Sequence, residues 1–292
     1  KGLTAFSHVL TESNTTHKSV PMLMSSVTAH DFNSIYRQKG IITAFKEAGY
    51  RTAFFSNQRY NHSFIDFFGK EADICDFIKE DTGDGSYNPS DDELLKLVAA
   101  ELAENASKQF IVLHTYGSHF NYRERYPADN AFFLPDFPVD AELKYKDNLI
   151  NAYDNSIRYT DNFLARLIRM LQEQDIDAAM LYTSDHGEDI FDDDRHLFLH
   201  ASPVPSYYQI HVPFLVWMSD NYRKNYPDFL KNAEINRQKN ISSSASFFQT
   251  MLELGGIDTP SRNDSLSVIN ASYTEKNRVY LNDHNEARSL ND

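Results

Sequence analysis

Ala178-Ala179-Met180-Leu181-Tyr182-Thr183-Ser184-Asp185-His186-Gly187-Glu188 is an uncharged run of strand length that spills directly into a carboxylate and an imidazole. Residues that alternate neither in polarity nor in charge read as a strand covered on both faces, so the polar residues that follow stand at a sheet edge. Gly187 there allows a close backbone approach. Two further runs have the same form, Gln109-Phe110-Ile111-Val112-Leu113-His114, which leads to Gly117-Ser118-His119, and Pro213-Phe214-Leu215-Val216-Trp217-Met218. A fourth, Arg51 to Ser56, rich in aromatic and β-forming residues, leads through Asn57-Gln58 towards His62.

Helical patterns separate these strands. Ile35 to Ala48 has helix-like apolar spacing and closes at Gly49, Asp91 to Asn105 opens with acidic residues, and Leu149 to Gln174 is long and amphipathic. Asp81 to Ser90, with Gly83, Gly85 and Pro89, reads as a loop, and Tyr122 to Asp140, with three prolines and many aromatics, as an ordered insertion near a binding surface. Strands alternating with helices imply an α/β fold, a mostly parallel sheet sandwiched by helices, with ligands bound beyond the carboxyl ends of the strands. Residues 1–292 are expected to form a single domain.

Composition narrows the function. Hydrophobic residues make up 41% and charged residues 24% of the chain, enough for a packed core. A formal net charge of −14 argues against a nucleic-acid partner, which needs a surplus of Lys and Arg. With Cys75 alone, an intrachain disulfide and a cysteine-built zinc or iron-sulfur centre are excluded. No apolar run approaches the roughly 18 residues of a membrane span, and the start has no signal-peptide pattern. Because it opens without Met and almost directly in a motif, the chain reads as a fragment of a longer protein.

Asp185 and His186 suit zinc or manganese, although an Asp-His pair in a turn also caps helices or makes local hydrogen bonds. His119 and His200 each follow an apolar segment; singly, each reads as an ordinary histidine, and the strand-end context they share with Asp185 and His186 is what singles them out. Thr15-Thr16-His17-Lys18-Ser19 precedes Val20-Pro21-Met22, a segment that Pro21 could start as a helix. Thr16 could cap that helix, or could hold its hydroxyl at the helix N-terminus beside a metal, where it would become a nucleophile. These residues alone leave both readings open.

The segment Thr11-Glu12-Ser13-Asn14-Thr15-Thr16-His17-Lys18-Ser19-Val20-Pro21-Met22 resembles the nucleophile motif of the bacterial phosphoethanolamine transferases that modify lipid A. The likeness continues through Leu113 to Phe120, Ile150 to Ser156 with Thr160-Asp161, Tyr182 to Glu188, and Leu199-His200. The resemblance implies an alkaline phosphatase/sulfatase-like fold in which Thr16, Asp185 and His186 bind zinc and His119 and His200 contact the phosphate or a second metal. It further implies a two-step transfer in which Thr16 takes phosphoethanolamine from phosphatidylethanolamine and passes it to lipid A or another envelope acceptor. Transmembrane helices upstream would hold the domain, a monomer, at the periplasmic face of a bacterial inner membrane.

Departures from the family pattern carry expectations too. The family's upstream Gly-Glu motif, whose Glu is a zinc ligand, has no counterpart before Thr16, so the first core strand is expected to be missing and zinc to bind weakly to this piece. His62 stands where the family has a substrate-binding Lys, and Ser242-Ser243-Ser244 where many relatives have Ser-His-Asp. A phosphodiesterase or sulfatase-like hydrolase, a glycerol phosphate transferase and a non-catalytic lipid-head-group sensor are the competing readings. Cys75-Asp76-Phe77-Ile78-Lys79 does not match the Cys/Ser-x-Pro-x-Arg context of type I sulfatases.

Overall fold

A computed structural model describes residues 1–60, 62–79, 88–137 and 140–290. The chain begins with β1 (Leu3–Ala5), β2 (His8–Leu10), α1 (Thr16–Met24), α2 (Ile41–Glu47), β3 (Arg51–Ser56), α3 (Phe64–Gly69) and β4 (Ile74–Phe77). It continues through α4 (Asp92–Ala103), β5 (Gln109–His114), α5 (Lys146–Glu173), β6 (Ala179–Thr183), β7 (Asp189–Ile190), β8 (Phe198–Leu199), α6 (Tyr207–Ile210) and β9 (Phe214–Met218). It ends with α7 (Asp220–Asn225), α8 (Pro227–Asn236), β10 (Asn240–Ser242), α9 (Ser243–Leu254), β11 (Val279–Leu281) and β12 (Ala287–Ser289).

The expected α/β sandwich is what these elements form. β3 runs parallel to β4 and β5 in the order β4-β3-β5, with Ala53 opposite Ile74 and Ile111. β10 is parallel to β2, whereas β9 runs antiparallel to both β1 and β6. The two faces of β3 are both apolar, as a covered parallel strand requires. Phe54 joins Met22, Phe45, Phe68 and Leu252 on the side of α1, α2, α3 and α9, while Ala53 and Phe55 meet Leu94, Val98, Phe163 and Leu167 of α4 and α5. Met180 and Tyr182 of β6 and Leu215 of β9 pack into that second layer, and Ala179, Leu181, Val216 and Met218 face the opposite one with Tyr222, Ala233 and Ile241. Helix α5 therefore covers one side of both three-stranded sheets, and each large side chain buried contributes about 1.5–3 kcal/mol. No helix among the described residues is long and apolar enough to cross a membrane.

Two helices differ from their sequence reading. The expected helix over Ile35 to Ala48 is a 3-10 turn at Phe32–Arg37 followed by α2. The break falls at Gly40 because Glu71, distant in sequence, takes the free amides of Gly40 (2.7 Å) and Thr43 (3.0 Å) and so sets where the helix begins. Helix α1 does not start at Pro21 either. It starts at Thr16, with Pro21 inside it, because the Thr15 carbonyl already accepts the Ser19 amide at 2.9 Å. The loop read over Asp81 to Ser90 lies outside the described residues through Tyr87, as do Pro138 and Val139 of the insertion. The rest of that insertion is pinned by buried Asn155, whose amide oxygen accepts the Phe132 and Phe133 amides at 2.8 and 2.9 Å and whose nitrogen donates to the Phe133 carbonyl.

Candidate active site

Thr15, not Thr16, is the residue before the first turn of α1, so the Thr16 hydroxyl is not used as a cap. Thr16 Oγ1 lies 3.1 Å from His186 Nε2 and beside the Asp185 carboxylate, whose Oδ2 is 3.6 Å from the same nitrogen. His186 Nδ1 faces the Gly187 carbonyl at 2.9 Å; a carbonyl only accepts, so the ring proton sits on Nδ1 and Nε2 turns its lone pair to Thr16. A single hydroxyl proton cannot serve both Nε2 and the carboxylate. Three electron-rich atoms thus converge with one proton among them.

The local sequence explains the convergence. β6 ends at Thr183 and delivers Asp185 and His186 beyond its carboxyl end, where Gly187 lets the chain pass the Tyr208–His211 segment. A Cβ on Gly187 would stand 2.1 Å from the Tyr208 carbonyl oxygen, so only glycine fits. Asn14, buried just ahead of α1, donates to the Ser202 carbonyl and to Gln209 Oε1, both at 2.9 Å, and Gln209 donates to the Leu199 carbonyl at 3.0 Å. Those bonds tie the segment carrying Thr16 to the one carrying His200.

His200 follows the β7–β8 hairpin and is flanked by Leu199 and Ala201, both at φ +67°, a left-handed conformation that non-glycine residues rarely adopt. Its ring lies 4.0 Å from that of His186, centroid to centroid. His200 Nδ1 is 3.0 Å from Glu188 Oε1, and the Tyr122 hydroxyl donates to Glu188 Oε2 at 3.4 Å. The hydrogen bond to Glu188 pushes the His200 pKa up against the opposing effect of burial. For Asp185, burial acts to raise the pKa, but the neighbouring His186 ring, the Thr16 hydroxyl and His114 outweigh it and hold the carboxyl below its usual range.

The donors suit a zinc ion. Tetrahedral zinc with bonds of ~2.0–2.1 Å places neighbouring ligands roughly 3.3 Å apart, and Thr16 Oγ1, His186 Nε2 and Asp185 Oδ2 stand at 3.1 and 3.6 Å along the two measured edges. His186, Glu188 and His200 form a second group whose ligand atoms lie within 4.8 Å of one another.

Thr16, Asp185, His186 and His200 are therefore brought together, and His119 and His62 are not joined to them by any hydrogen bond or ion pair among the described residues. His119 is exposed, its ring 5.1 Å from that of Tyr116 and its Nδ1 against the Phe120 carbonyl. His62 is exposed at φ +61°, its amide bonded to Asp66 and its ring 4.6 Å from Tyr60. Ser243 and Ser244 are buried at the start of α9 without hydrogen-bond partners for their hydroxyls among the described residues.

Sequence reasoning passed over Glu188 and His114. Glu188 could have been found from its place two residues after His186. His114, the last residue of β5, bonds Ser56 Oγ at 2.9 Å through Nδ1, and burial pushes its pKa down despite the nearby carboxylates of Asp185 and Asp91; only its strand-end position hinted at it.

Residues 1–257 match the sulfatase family. Phosphoethanolamine transferase EptC of Escherichia coli O18:K1:H7 is 25% identical over 284 residues, 94% of this chain and 48% of that protein. The Kdo(2)-lipid A phosphoethanolamine 7''-transferase of Escherichia coli K12 is 37% identical over 158 residues, 52% of this chain and 27% of that protein. The crystal structure of the C-terminal periplasmic domain of EptC from Escherichia coli, in complex with Zn, superposes with a TM-score of 0.89 at 23% identity, over 99% of this chain and 82% of that one. The chain spans about half the length of the curated relatives it matches.

Proposed function

Starting from the chain's membership of the sulfatase family, we propose that it is the catalytic domain of a phosphoethanolamine transferase that moves the group from phosphatidylethanolamine to lipid A or another envelope acceptor. The observation that carries this reading is the Thr16 hydroxyl, free of helix capping and set between His186 Nε2 and Asp185.

In the first step Thr16 Oγ1 bonds to phosphorus and the bond to the diacylglycerol oxygen breaks. In the second, an acceptor oxygen bonds to phosphorus and Thr16 Oγ1 leaves. The Asp185 carboxylate would take the Thr16 proton, and the amides of Thr16 and His17 at the start of α1 would donate to the phosphate oxygens. Glu188 accepts the Nδ1 proton of His200, so Nε2 is the atom that offers a proton to a leaving oxygen. Thr16, Asp185 and His186 would hold zinc, which when bound lowers the pKa of the threonine hydroxyl and neutralises charge on the phosphate. Alignment and charge neutralisation are what phosphoryl transfer chiefly demands.

Residues 1–292 would form one domain of a longer, membrane-anchored protein that faces the periplasm and acts as a monomer; relatives twice as long support this. His62 and His119 would meet the substrate from the rim. Release of diacylglycerol from fluorescent phosphatidylethanolamine tests the reading: wild type with zinc should turn the lipid over, and Thr16→Ala should lose at least about a thousandfold, as expected on removing a covalent nucleophile. Turnover by Thr16→Ala at the wild-type rate would exclude the nucleophile assignment.

A further inference from the structure

Beyond the carboxyl ends of the parallel strands the chain gathers positive charge. Arg59 follows β3, Lys79 follows β4, and Tyr116 follows β5. Lys79 Nζ stands 4.5 Å from the centroid of the Tyr116 ring, and Arg125 Cζ stands 4.2 Å from it. Two cations on one ring thus stand at the ligand-binding end of a parallel sheet. The same ring touches His119.

The corner is firmly built. The amides of Tyr116 and Gly117 donate to the Asp91 carboxylate at 2.8 and 2.9 Å, and Asn57 Nδ2 donates to the same carboxylate at 2.8 Å, so Asp91 is committed to positioning the loop. The Arg125 side chain is only 7% exposed and rests on Glu124, itself 58% exposed, and on the Asn121 carbonyl. Lys79 donates to the neutral amide oxygen of Asn88 at 2.7 Å. Burial, together with the charges of Arg125 and Arg59, pushes the pKa of its ammonium down, a cost that a bound anion would relieve.

We propose that Lys79, Arg125 and Tyr116 form an anion subsite, beside His119, that takes a phosphomonoester on the acceptor. This rests on the transferase reading above. The donor headgroup does not fit the corner, because its ammonium would meet two cations and a ring that both already contact. A phosphomonoester supplies two negative charges and oxygen acceptors for both side chains. Acceptor and donor then have separate addresses in the molecule.

Two experiments test this independently. N-Acetylglucosamine 1-phosphate and N-acetylglucosamine are titrated calorimetrically, at low salt, into wild type, Lys79→Ala and Lys79→Arg. The phosphorylated sugar should bind wild type, lose about tenfold in affinity in Lys79→Ala, as expected for one charge-assisted hydrogen bond, and keep its affinity in Lys79→Arg; the neutral sugar should not bind. Equal affinity in wild type and Lys79→Ala, or no binding to wild type, overturns the subsite. Separately, labelling of the protein by phosphatidylethanolamine and passage of that label to a phosphorylated acceptor are measured as two steps. The loss in Lys79→Ala should fall on the second, as a higher acceptor KM, and an equal loss in both rejects the subsite. If wild type never becomes labelled, the transferase reading fails by itself and the calorimetry still decides the subsite.

Discussion

His114 and His200 both stand near Asp185, at the ends of strands β5 and β8, yet their surroundings drive them in opposite directions. The Nδ1 of His114 meets the neutral hydroxyl of Ser56, and burial lowers its pKa. The Nδ1 of His200 meets the Glu188 carboxylate, which raises its pKa in spite of burial. A buried imidazole is thus silenced or made ready to carry charge by the partner of its far nitrogen. Glu12 extends the contrast to an acid. Burial, helped by the charge of Asp31 and opposed by the hydrogen bond from the Ala29 amide, pushes its carboxyl up to about 7.

The largest effect is expected at Glu12. Its folded pKa exceeds the ordinary value of 4.5, so folding favours the protonated form; its stabilising contribution is complete below 4.5 and is lost as pH rises to about 7. Glu12→Gln keeps an acceptor for Ala29 and removes the ionisation, so at pH 8 it should be more stable than wild type by up to about 3 kcal/mol, at 1.36 kcal/mol per pKa unit. Urea unfolding at pH 4.5 and pH 8 checks this, and a wild type equally stable at both values would break the comparison. Next comes Glu188→Gln, expected to cost on the order of 10- to 100-fold in transfer, the usual loss when an orienting partner is removed. The raised pKa of His200 stabilises the fold at low pH and ceases to do so as pH rises through it; Glu188→Gln should abolish that contribution and lower the His200 titration seen by proton NMR. The smallest change is Ser56→Ala, about 1–2 kcal/mol of stability for the lost hydrogen bonds to His114 and from the Gln58 amide, with the transfer rate unchanged. A rate loss there would mean that His114 does more than support the site.

Four strands were legible because a covered strand is an unbroken apolar run: β3 and β5 fall on the residues read from sequence, and β6 and β9 begin one residue later. The split of the Ile35 to Ala48 helix was not legible, since the carboxylate that sets its start belongs to Glu71 and arrives through the tertiary fold. Asp185 and His186 could be read from their strand end. Their contact with Thr16, across 170 residues, could not, and the motif resemblance supplied that expectation. Lys79 follows β4 while Tyr116 and Arg125 belong to the connection between β5 and α5, and no spacing in the chain announces their meeting.

The central claim is that Thr16 carries the transferred group. Intact-mass spectrometry of the zinc-supplemented protein after incubation with phosphatidylethanolamine, with Thr16→Ala in parallel, tests it most directly. The expected result is a gain of one phosphoethanolamine on wild type and none on the variant; an unmodified wild type that still binds the lipid, or an equal gain on Thr16→Ala, would contradict it.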